Sequence, residues 1–150
     1  MRERIEQLYD KDDKKAFDNL VELENITESS DELYKYFNEL LKMLYNEKSN
    51  IRVRGFRLIA ALAKWDKEYK IDHNLDTILE VFDDDKAFVI RQCLSKTDLI
   101  IEAKPNLRIK IADKINSMDL SKYSDSMRNL ISKDLEKVNK ERVANISFNL

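Results

Sequence analysis

LYNEKSNIRVRGFRLIAALA, residues 44–63, is answered 37 residues later by VFDDDKAFVIRQCLSKTDLI, residues 81–100. The two stretches share a pattern rather than an identity. Each begins with an apolar–aromatic pair, passes through a polar turn and enters an amphipathic run at an apolar–Arg step, Val53-Arg54 in one and Ile90-Arg91 in the other. The same step returns at Met127-Arg128. Other columns keep the register: Leu44, Val81 and Met118; Leu41, Ile78 and Ile115; Phe56, Cys93 and Leu130. A fainter copy, LYDKDDK, starts at residue 8. A period of this size marks a repeated supersecondary unit that buries its apolar face against its neighbours.

Working outward, each unit reads as two helices. In SSDELYKYFNELLKMLYN, Leu33, Phe37, Leu40, Leu41 and Leu44 recur at helical steps. Ser29 and Glu32 form a capping-box candidate at its start. Asn50 is the expected N-cap of the next helix, which runs to about Trp65 with Val53, Phe56, Ile59, Ala60 and Ala63 on its buried side. Asp72 is a further N-cap candidate, before NLDTILEVF and then AFVIRQCLSKTDLIIEA. Pro105 suits the first turn of NLRIKIADKI, apolar at Leu107, Ile109, Ile111 and Ile115. SKYSDSMRNLISKDLEKVNK closes the last pair, and residues 2–9 and 13–27 make the first. The expectation is an all-α domain of about eight helices in four antiparallel hairpins, over residues 1–28, 29–70, 71–104 and 105–140. A tail over 144–150 lacks helical period and is expected to be extended or frayed.

Composition agrees. One Gly and one Pro in 150 residues leave little for the tight turns of sheets. Charged residues reach 37 %, yet 43 % of the chain is hydrophobic and interspersed among them, which excludes a disordered polyelectrolyte. The net charge of −2 counts against general binding to phosphate backbones. Cys93 is the single cysteine, which suits a reducing cytosol. No apolar run is long enough for a membrane span, and the start MRERIEQLYDKDDKK lacks the apolar stretch of a signal peptide. A cytoplasmic protein is expected.

With two-helix units, an acidic turn between helices and an apolar–Arg step opening the second helix, the chain resembles HEAT-repeat proteins. The likeness is carried by residues 44–63 and 81–100 and more loosely by MDLSKYSDSMRNLI at 118, where the acid falls one place early at Asp119. The first unit has Phe17-Asp18 where the arginine step belongs. The resemblance implies an α-solenoid whose second helices line a concave face, the face on which family members most often bind other proteins. It also implies a structural ladder for Arg54, Arg91 and Arg128, with Asn46, Asp83, Asp84 and Asp119 as partners.

Arg52, Arg57 and Lys64 have no counterparts one period on, where Val89, Leu94 and Ile101 stand. With Trp65, Gln92 and Lys96 they are the candidate protein-binding patch, against the alternative of a solvated helix face. Gly55 inside a helix implies a close approach by another helix or, alternatively, by a ligand lying against the backbone. One histidine, His73, excludes any site that needs two, including the metal centres of HEAT-like iron hydroxylases. DDDKAF and DKDDKK lack the spacing and glycine of a calcium loop. No cofactor and no metal are expected, and Cys93 is read as a core thiol. The functional expectation is a non-catalytic module that binds a protein partner on its second-helix face. Two alternatives stay open: a nucleic-acid binder or HEAT-like DNA glycosylase, with KWDKEY offering Trp65 and Asp66, and a self-associating structural module using Phe148 and Leu150.

Overall fold

A computed structural model describes the backbone of residues 1–148 and the side chains of residues 1–140; Leu150 and the side chain of Phe148, the suggested self-contact, lie outside them. The described residues are helical, without a strand. The helices are α1 (Arg2–Gln7), α2 (Asp13–Thr27), α3 (Phe37–Met43), α4 (Ser49–Ala61), α5 (Lys70–His73), α6 (Leu75–Leu79), α7 (Ala87–Ala103), α8 (Arg108–Asn116) and α9 (Asp125–Phe148). Tight 3-10 turns at Glu32–Tyr36, Ala63–Trp65, Glu80–Asp83, Pro105–Leu107 and Leu120–Lys122 extend or join them.

The long helices α2, α4, α7 and α9 pack in that order, each against the next. The shorter elements α1, α3 and α8 lie on α2, α4 and α9, and the Glu80–Asp83 turn lies on α7. The expected stripe of α4 is buried throughout, at Val53, Phe56, Ile59, Ala60 and Ala63. Phe56 meets Phe82 edge-on, with ring centroids 5.8 Å apart, so the core runs unbroken from the second unit to the third. Ile109 departs from expectation and is exposed. Leu107, Ile111 and Ile115 are spaced by four and share a stripe, which leaves residue 109 on the opposite side of the helix.

The helix starts differ from those expected, and turn chemistry explains why. Glu32 donates its N–H to Ser30 rather than to Ser29, and the expected long helix opens as a 3-10 turn. Lys48, not Asn50, stands at the start of α4, and no side chain caps it. Asn46 instead accepts the Lys48 N–H at 2.9 Å. The same two-residue closure recurs where Asp10 accepts from Asp12, Asp84 from Lys86 and Asp119 from Ser121. Short acidic or amide side chains fold back on their own backbone in this way, which reverses the chain without glycine. Asp72 caps nothing; Asp66 takes the N–H groups of Lys70 and Ile71 at the start of α5, each at 2.9 Å. Pro105 occupies its expected first turn. α9 continues to Phe148, past the point at 144 where a tail was expected.

Gly55 is where α3 crosses α4. A Cβ there would sit 2.8 Å from Met43 Cβ and 3.0 Å from the Leu40 carbonyl oxygen. Alanine gains about 1 kcal/mol over glycine in an open helix interior, but overpacking a filled contact costs about 1–3 kcal/mol. One obstacle is backbone, so the clash wins. Gly55→Ala is expected to lower the urea midpoint, and a raised midpoint would refute the close crossing.

Candidate functional site

The three arginines of α4 go to three different places. Arg52 forks onto Asp84, Nε to Oδ2 at 2.8 Å and Nη2 to Oδ1 at 3.2 Å, and also donates to the carbonyls of Asn46 and Glu47. It thereby ties the second unit's turn to the third's. Arg54 reaches back to the first unit, donating to the Leu8 carbonyl at 2.8 Å and to Asp13 at 3.1 Å. Arg57 forks onto Glu24 of α2 at 2.9 and 2.7 Å and donates to Gln92 of α7 at 2.9 Å. Both sides of that fork are enclosed, with side-chain exposures of 9 % and 14 %.

The arginines in register therefore do not form one ladder with the partners named for them. Arg54 does reach an acidic turn of an adjacent unit, but that turn is LYDKDDK and the acid is Asp13. Arg91 pairs with Asp134 on α9 at 2.8 Å, and Arg128 pairs with Asp125 of its own first turn. Asp83 is held by Lys114 at 2.8 and 2.9 Å, and Asp119 by Ser121. Asp84 carries the ladder-like role, with Arg52 as its cation.

The candidate binding patch is likewise occupied from within. Besides Arg52 and Arg57, Lys64 donates to the Glu28 carbonyl and Trp65 Nε1 to the Thr27 carbonyl, both at the end of α2. Lys96 stands 3.9 Å from Glu24, and Gln92 accepts from Arg57. These side chains fasten α2, α4 and α7 together. Their failure to recur one period on reflects contacts between unlike neighbours, not freedom from structural work.

What the same face leaves open is apolar. Phe17 on α2 and Phe88 on α7 are 49 % and 41 % exposed and stand on either side of a cavity of about 230 Å³. Its floor is Leu20 and Val53, and the guanidiniums of Arg54 and Arg57 form part of its wall. The Arg57 guanidinium lies 5.5 Å from the Phe17 ring centroid, a cation–π contact that steadies the ring. The expectations above do not include these two phenylalanines. The signal was present: each is a large aromatic one place off the buried stripe of its helix, beside Ala16 in α2 and Val89 in α7.

A second polar cluster lies at the junctions between units. The side chain of Asp66 is wholly enclosed and accepts from Tyr34 at 2.6 Å, from the two α5 N–H groups, and from Lys104 at 3.0 Å. Lys104 also pairs with Asp72, which Asn106 holds at 3.0 Å. Burial pushes the Asp66 and Asp72 carboxyls up, but the hydrogen bonds they accept outweigh it and hold both below the ordinary 3.8. Burial first, and the bond to Asp66 second, push the Tyr34 phenol up to about 12. Burial lowers Lys104, yet its two carboxylates leave it above 10.5. With its acceptors engaged and no exposed surface, Asp66 is a fastening and has no open side on which to act on a substrate.

Burial raises the Cys93 thiol well above its ordinary value, as suits a core thiol. Among the described residues no three His, Cys, Asp or Glu side chains gather as metal ligands, and no helix is long and apolar enough to cross a membrane.

Two outcomes test these fastenings. Arg57→Ala removes both short bonds to the enclosed Glu24, leaves it only Lys96 at 3.9 Å, and is expected to cost about 3 kcal/mol in urea denaturation, the low end for breaking an enclosed pair. Arg128→Ala, on an exposed local pair, is expected to leave the midpoint almost unchanged. Equal effects would show that Arg57 holds nothing. For the Asp66 cluster, the depressed carboxyls add stability that is present above pH 3.8 and lost as pH falls through their lower folded values. The raised Tyr34 adds stability present below pH 10 and lost as pH rises to about 12, and the raised Lys104 adds stability present below pH 10.5 and lost as pH rises through its higher folded value. Asp66→Asn is expected to flatten the acid limb of a pH series of urea midpoints; an unchanged limb would contradict the assignment. Comparison with protein-family models, curated proteins and solved structures gives no match, so the functional reading rests on the groove and its contacts.

Proposed function

We propose that the chain is a non-catalytic, cytoplasmic HEAT-like α-solenoid that binds a protein partner on its second-helix face, at the groove between Phe17 and Phe88. The row of four hairpins is supported by the order in which α2, α4, α7 and α9 pack and by the recurring side-chain-to-backbone turns. The observation that carries the binding reading is the pair of exposed phenylalanines over an apolar floor.

Size separates a protein partner from a small molecule. Sites for small molecules usually enclose about 300–1,000 Å³; this one holds about 230 Å³, room for one large side chain. Aromatic or aliphatic anchors seated in such pockets commonly dominate protein–protein affinity. The nucleic-acid alternative is weakened by the state of the cations, because Arg52, Arg57 and Arg91 each already face a carboxylate that is itself largely enclosed. A glycosylase would need an acid that reaches a base, and Asp66 is enclosed.

Replacing both Phe17 and Phe88 by alanine removes exposed rings, so the melting temperature is expected to move little. Capture of the partner from native lysate is expected to be lost. Identical captured proteins with parent and double variant would remove this face as the binding surface.

A further inference from the structure

The same groove carries information about the chemistry of its occupant, a step that rests on reading this face as a protein-binding surface. Its two cationic walls differ. Arg57 is bonded at all three of its nitrogens: Glu24 takes two of its N–H groups, Gln92 a third, and the carboxylate that cancels its charge is itself enclosed. Arg54 is not. Its side chain is only 6 % exposed, yet its one carboxylate partner, Asp13, is 70 % exposed and bonded at a single oxygen. Of the five N–H groups on a guanidinium, the Leu8 carbonyl and Asp13 take one each. The groove therefore sets an enclosed cation beside an apolar slot, and the anion opposite it is shared with water and held from one side.

We propose that the groove takes a partner segment in which a large aliphatic or aromatic side chain stands next to a carboxylate. The apolar side chain lies between Phe17 and Phe88 over Leu20 and Val53. The carboxylate bonds Arg54 in place of Asp13, which turns to solvent. Charge complementarity selects this occupant. A basic segment would bring a cation against an enclosed guanidinium, a like-charge contact that suppresses wrong partners. A purely apolar segment would fill the slot but gain nothing from Arg54. An acidic–apolar segment uses both, and the exchange of one carboxylate for another leaves no buried charge unpaired.

The test uses the full chain and a displayed library of short random peptides, followed by fluorescence anisotropy on labelled synthetic copies of the enriched sequences. Enriched peptides are expected to place Leu, Ile, Phe or Trp beside Asp or Glu. Amidating that carboxylate, Asp to Asn or Glu to Gln in the peptide, should weaken binding about tenfold, the scale of one lost charged hydrogen bond. Phe88→Ala should weaken it at least as much. Asp13→Asn should tighten it severalfold, because the competing charge is gone; the Asn amide oxygen still accepts from Arg54 beside the Leu8 carbonyl, so the fold is expected to hold, and a thermal melt checks this. Peptides that need Phe88 but ignore both Asp13 and their own charge would overturn the inference while leaving the face as a binding surface. Peptides indifferent to Phe88, or no enrichment at all, would overturn both. A concentration-dependent mass abolished by Phe88→Ala would make a second copy of the chain the occupant and would equally overturn it.

Discussion

The fork of Arg57 on Glu24, with Gln92 on its remaining side, joins α2, α4 and α7 through one side chain. An enclosed ion pair adds little net stability over an apolar contact of the same shape, because both ions lose water. It does penalise misplacement heavily, since any slip of α2 or α7 along α4 strands a charge. Helix faces lined with Leu, Ile and Ala tolerate several registers; a planar fork tolerates one. Arg52 and Arg54 apply the same constraint at the turns, one toward Asp84 and one toward Asp13 and the Leu8 carbonyl. α4 is thus the member from which the positions of its neighbours are set.

What was legible in the sequence was local. The all-helical content, the buried stripe of α4, the crowding at Gly55 and the seat of Pro105 follow from spacing and from the steric character of single residues, and the described residues have all of them. The roles of the cations were not local. Arg54, Arg91 and Arg128 occupy equivalent places, but Asp13, Asp134 and Asp125 do not, and the position of the acid decides where each arginine goes. Arg52 and Arg57 lack counterparts one period on, which points to a binding patch or a solvated face rather than to the ion pairs they make. Helices with unlike neighbours need unlike contacts, so lack of recurrence says nothing about whether a charge is spent. The better signal was aromatic: Phe17 and Phe88 stand off the buried stripes where no core demands them.

The junctions between units follow a related logic with other groups. Glycine is nearly absent, so chain reversals rely on Asp10, Asn46, Asp84 and Asp119 folding onto their own backbone. Between units the chain is longer, and Asp66 gathers Tyr34 from one unit and Lys104 from another around the start of α5. Tyr69, just before α5, has φ of 56°, a left-handed backbone that a non-glycine residue adopts at a cost. Its ring lies 5.0 Å from the Lys104 ammonium, which places that residue against the same cluster.

These fastenings also shape the groove. Arg57 steadies the Phe17 ring, Arg54 fixes the wall between α2 and α4, and α7 is set by Gln92. The helices that carry both phenylalanines are therefore tied to α4 before anything binds. A partner side chain entering between them has little to reorder, and the association avoids most of the side-chain and loop ordering that a mobile surface would require. Stability and recognition meet at Arg54, which is enclosed like a structural residue yet opposed by an acid that water already half claims. A fully enclosed pair, such as that of Arg57, closes its site to ligands; a half-open one leaves a charge that a better-placed carboxylate is able to take.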